Sequence, residues 1–165
     1  MNRYRFKQVA LLMATLAWGW SAPALADATA HRHEHAVAGK AQRNGQKIVT
    51  DEVLKAGMDD IRRAVLARRA DMDADRMTAQ DYQRLAAQVD QSLAGIVKNC
   101  KLPAEADNAF HTVVLADLNR DVLLMRTSPK VAVQRVSAMG IIQTLRHYGE
   151  YFAHPGWSMD SPAAP

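Results

Sequence analysis

From Thr50 onward, apolar positions recur every three or four residues, and four such stripes follow one another. Leu54, Met58, Ile61 and Val65 are spaced 4, 3 and 4, which places them on one face of a helix. Thr50 is the expected N-cap, with Asp51 and Glu52 favourable in the first turn. The stripe fades near Arg69, and "RADMDADRM" predicts a polar connection. A second helix is expected from Thr78, with Asp81 three residues on as a partial capping box. Its stripe is Tyr82, Leu85, Val89, Leu93 and Ile96, ending around Asn99 and Cys100. Pro103 suits the first turn of a third helix, whose stripe reads His111, Leu115, Leu118, Val122 and Met125. Ser128-Pro129 predicts the N-cap and first position of a fourth. Its apolar face is Ala138, Ile141, Leu145, Tyr148 and Phe152, supported by Val136 and Ile142. "HPGW" ends that helix, because Pro155 and Gly156 cannot comfortably continue it. No strand pattern is visible, and "RNGQ" at 43–46 reads as a turn without a preceding strand. Short turns between long helices favour antiparallel neighbours. The expected fold is all-α, an up-down-up-down four-helix bundle.

What precedes the helices changes the picture. Arg3, Arg5 and Lys7 form a basic start, and Val9 to Trp20 is an apolar run of twelve. A spanning helix needs about 20 residues, so this run is too short. Ala24-Leu25-Ala26 supplies a small-x-small cleavage signature. Residues 1–26 therefore read as a secretory signal peptide, and a soluble periplasmic protein is expected after cleavage. Residues 27–49 are polar and His-rich and are expected to be a disordered tail. The bundle is expected over 50–157, with a disordered end at 158–165. The chain's formal charge is +4 and its pI near 9.4, but three of those charges lie in the acid-free signal segment. The cleaved chain is left near +1, which removes the electrostatic case for nucleic-acid binding.

Candidate chemistry concentrates on histidine. His31, His33 and His35 alternate in "ATAHRHEHA". In an extended chain they lie on one side, about 7 Å apart. Imidazole suits Cu(II), Ni(II) and Zn(II), and a pliable segment can bend three rings around one ion. Cleavage after Ala28 instead of Ala26 would leave Thr29-Ala30-His31. A free amine, two backbone nitrogens and a third-position imidazole would then form a square-planar site. His111 shares a stripe with Leu115 and Leu118, so it is expected in the core, level with Met58. A Met58 thioether with His111 would suit copper(I), or the axial positions of a b-type haem. His147, Glu150 and His154 are spaced 3 and 4 on the fourth helix and read as a surface patch. Cys100 is the single cysteine. It can form no internal disulfide and is expected to be buried, reactive or used between chains, as in a homodimer. Asp71, Asp73 and Asp75 begin like a calcium loop, but Arg76 and Tyr82 stand where Gly and Glu belong. No Ser-His-Asp arrangement, phosphate loop or zinc-type histidine pair is present, so no enzyme is expected.

"NCKLPAEADNAFH", followed some forty residues later by "YGEYFAHPGW", resembles a family of small exported proteobacterial proteins sometimes labelled DnrO-like. The resemblance spans roughly residues 50–157 and implies a helical, exported protein. The functional expectation is a periplasmic helical protein that binds a transition metal, copper before others, in a handling or stress role. A metal-free interaction module and a b-haem electron carrier are the alternatives. The expected ligands are His31, His33, His35, His111 and Met58.

Overall fold

The computed structural model describes residues 46–160, and these are mostly helical. Strand β1 is Ile48–Val49. Helices α1 (Glu52–Leu66), α2 (Arg69–Asp73) and α3 (Ala79–Asn99) follow. Helix α4 (Ala104–Phe110) runs through a π-helical turn, His111–Leu115, into α5 (Ala116–Thr127). Helix α6 (Val131–Tyr151) leads into strand β2 (Phe152–Ala153). Helix α1 packs on α3, α3 on α5, and α5 on α6, while α6 closes against both α1 and α3. No helix among the described residues is long and apolar enough to cross a membrane.

The stripes of α1 and α3 form the core as expected: Leu54, Met58, Ile61 and Val65 meet Tyr82, Leu85, Val89, Leu93 and Ile96. The Thr78 capping box is present in full. The Thr78 hydroxyl accepts from Asp81 N–H, and the Asp81 carboxylate accepts from Thr78 N–H at 2.9 Å. Those bonds hold the Asp81 carboxyl down at about 2.

Four local expectations are corrected. Thr50 is not the cap of α1. Asp51 is, accepting from Leu54 N–H at 2.7 Å and also from Lys101 N–H at 2.6 Å across the fold. Thr50 is buried instead, with its hydroxyl toward Ala153 O at 3.3 Å. The α6 helix begins at Val131 rather than at Pro129, because Ser128 closes α5 and its hydroxyl accepts from Lys130 N–H. Val136 is 71 % exposed and not part of the apolar core face. The polar connection holds the short helix α2 and buries Met72 and Met77.

Strands were not expected at all. Ile48 and Val49 pair in parallel with Phe152 and Ala153, so these two residues, inside the stretch expected to be a tail, join the fold. Residue Met159, in the stretch expected to be a disordered end, is likewise buried. Residues 1–26, expected to be a signal peptide, and most of the His-rich stretch lie outside the described residues.

Candidate functional site

Of the expected metal ligands, His31, His33 and His35 lie outside the described residues. Met58 is fully buried in the α1 stripe. His111 is not in the core: its side chain is 54 % exposed, with Nε2 3.7 Å from Asp107 Oδ1. The reason is the π turn. Ala116 N–H bonds to His111 O, an i to i+5 step that inserts one residue into the helical frame. The residue lying two turns before Leu118 is then Phe110 rather than His111, and Phe110 is buried. Thr112 donates to Asn108 O at 2.8 Å and so covers a carbonyl next to the irregular turn. The structure thus separates a sealed thioether from a surface imidazole. Among the described residues, no three His, Cys, Asp or Glu side chains converge as a metal group.

Among the described residues, the most connected histidine is one read as surface. His154 is not on the helix, since α6 ends at Tyr151, and its side chain is only 7 % exposed. Its Nδ1 lies 3.1 Å from the Tyr148 hydroxyl and its Nε2 lies 3.2 Å from Asp59 Oδ2. With the carboxylate ionised, these partners assign the proton to Nε2, leaving Nδ1 to accept from the phenol. Burial lowers the imidazole's pKa, against the pull of Asp59, and burial pushes the Tyr148 hydroxyl up. Gly156, at φ 77°, turns the chain so that Trp157 packs against both His154 and Tyr148. Trp157 Nε1 donates to Leu145 O at 3.1 Å, and the Arg62 guanidinium stacks 5.5 Å from the Trp157 ring. Arg62 also donates to Ser158 O at 3.0 Å. Tyr148 is fully buried and stacked on Phe152, so this Asp–His–Tyr set clamps the segment after α6 to α1. "HPGW" read in sequence only as a helix stop. The signal available was its concentration of ring side chains directly after an apolar face.

The other candidates lie at the surface or are partly buried. His147 is half-buried, with Nε2 3.1 Å from Gln143 Nε2. The acids of the calcium-like stretch are taken up by arginines: Asp71 by Arg76, Asp73 by Arg69 and Asp75 by Arg135. Burial, with Asp51 and Asp107 nearby, raises the Cys100 thiol, so this cysteine is not activated.

Sequence reasoning missed a groove of about 500 Å³ between α5 and α6. Leu124, Val133 and Val136 form its apolar walls, and Asp121, Ser137 and Gly140 line it too. Asp121 is only 4 % exposed, and burial raises its carboxyl pKa against the neighbouring Arg120. A Cβ at position 140 would collide with the Asp121 carboxylate, so the glycine makes room for it. Leu123, Leu124, Val131 and Val136 are exposed apolar side chains on this pair of helices. Comparison with protein-family models, with curated proteins and with solved structures finds no match.

Proposed function

We propose that the chain is an exported, periplasmic helical protein that binds a transition metal, copper before others, on His31, His33 and His35. In this reading an up-down-up-down four-helix body carries the metal-binding segment. The observation that carries it is three imidazoles within five residues. Met58 is sealed and His111 faces solvent beside Asp107, so those two residues lend the reading no second ligand pair. The b-haem alternative draws no support from that pair.

Calorimetric titration with Cu(II) tests the proposal on the chain lacking its signal segment. The parent should bind tighter than about 100 μM, a level within reach of incidental surface histidines. Deleting 27–45 should abolish that binding, and His111→Ala should leave it unchanged. If binding at these three histidines is not coupled to folding, the melting temperature should not rise with copper. Equal affinity in parent and deletion would falsify the assignment.

A second reading, a metal-free binding module, is favoured by the α5–α6 groove and by the exposed apolar side chains around it.

A further inference from the structure

We propose that the α5–α6 groove binds an amphiphilic organic amine, with its ammonium on the Asp121 carboxylate and its apolar body against Leu124, Val133 and Val136. This rests on the binding-module reading and names its ligand class.

Asp121 puts a charge in an unfavourable place. The Asp121 side chain is 6 % exposed in a groove whose walls are mostly aliphatic. A buried carboxylate is costly unless it is paired and hydrogen-bonded. The cation beside it is Arg120, its chain neighbour. Arg120 Nε and Nη2 reach the two carboxylate oxygens at 3.3 and 3.4 Å, near the outer limit of a hydrogen bond. The shortest bond of the same guanidinium goes elsewhere, to Asp117 at 2.6 Å. Arg120 is itself 59 % exposed, so its charge is largely solvated. Asp121 is therefore held by one long and largely solvated pairing, and it lines, together with Arg120, a groove open to ligands.

The groove fits the rest of an amine. Its volume falls within the range of about 300–1,000 Å³ usual for small-molecule sites. Gly140 lets the carboxylate seat against the α6 backbone at the groove wall, where a Cβ would collide with it. Ser137 is buried at the same wall, and its hydroxyl has no hydrogen-bond partner among the described residues. An ammonium has three donors, and two carboxylate oxygens plus one hydroxyl accept them. A divalent metal is the wrong occupant, since a hard cation asks for six or more oxygens and one carboxylate supplies two. A second copy of the chain would have to bring a cation and desolvate it together with its helix.

The test titrates the chain with octylammonium, octanol and octanoate at neutral pH and low salt, followed by amide chemical shifts. Octylammonium should bind saturably and about tenfold tighter than octanol, with octanoate weakest. Asp121→Asn should reduce octylammonium to the octanol level. Arg120→Gln, a change outside the core, should tighten octylammonium several-fold by removing the competing cation. A merely structural Asp121 would not produce that gain, and the variant keeps the test alive if Asp121→Asn does not fold. Deleting 27–45 should change nothing. If octanol binds as well as octylammonium and Arg120→Gln is neutral, the amine assignment fails while the binding-module reading stands. If no amphiphile binds and the chain is a monomer, both fail. Self-association that Val136→Lys breaks would give the groove to a second copy and overturn the proposal.

Discussion

The imidazole of His154 sits between a phenol and a carboxylate with little water around it, and that environment gives the chain a pH dependence of definite sign. Burial is the largest influence and lowers the pKa; Lys55 and Arg62 act in the same direction, and Asp59 opposes them. The folded chain therefore takes up this proton at lower pH than the unfolded chain, whose histidine titrates near 6.5. In the window just below 6.5 the unfolded state binds more protons, so stability rises with pH there. The contribution is complete above that window and is lost as pH falls through it. Thermal melts of the parent should therefore be lower at pH 5 than at pH 7.5. His154→Gln should flatten that difference while lowering the melt at pH 7.5, since Tyr148 and Asp59 lose a ring partner. An unchanged slope would assign the effect to other groups. The nearby Gly149 is held to a different constraint. A Cβ there would run into the Trp157 ring, so the aromatic clamp requires glycine at this turn of α6.

At the scale of the elements, regular periodicity explains what was readable. The α1 and α3 stripes were legible because every position obeys the 3.6-residue repeat and both helices have local caps. The third stripe failed at one end only. Leu118, Val122 and Met125 are buried as read, but His111 is not, since the π turn shifts the frame between them. Phe110 and His111 are neighbours, and either can begin a helical stripe, so nothing in the local sequence marks the slip. Val136 was misjudged for a related reason, because apolar side chains also line surface grooves. The frame can be tested directly. Leu118→Asp places a carboxylate at a fully buried position and should abolish cooperative unfolding. Its cost of several kcal/mol is comparable to the stability of a whole domain. His111→Ala should shift stability by less than about 0.5 kcal/mol, as expected of a surface site. Circular dichroism melts of the two variants distinguish the observed frame from the unshifted one, in which both changes would be severe.

Across the whole molecule, the two ends of the described chain are fastened to each other, and this is the part the sequence hid most completely. Two-residue strands have no periodicity to detect, and the contacts that fix them span about a hundred residues. Ile48 and Val49 pair with Phe152 and Ala153, and the Thr50 hydroxyl reaches Ala153 O. Asp59 holds His154, and Arg62 holds Ser158 and covers Trp157. The candidate groove escaped notice for the same reason, since Asp121 and Gly140 belong to different helices and only packing brings them together. The end segment therefore behaves as core, although it follows a helix stop and is short. Phe152 is fully buried and Met159 nearly so. Removing one buried phenylalanine side chain costs about 3–5 kcal/mol, and a chain ending at Tyr151 loses Met159, the Trp157 packing and the His154 bonds as well. That truncation should leave the protein without a cooperative melt at 25 °C, whereas deleting 27–45 should change the melting temperature by no more than about 2 °C. Amide hydrogen exchange supplies the finer measurement. In the full chain, the amides of β2 should be protected to nearly the same degree as those of α3. Protection in β2 at the level of a fraying terminus would show that the clasp opens independently, and the end segment would then be an appendage.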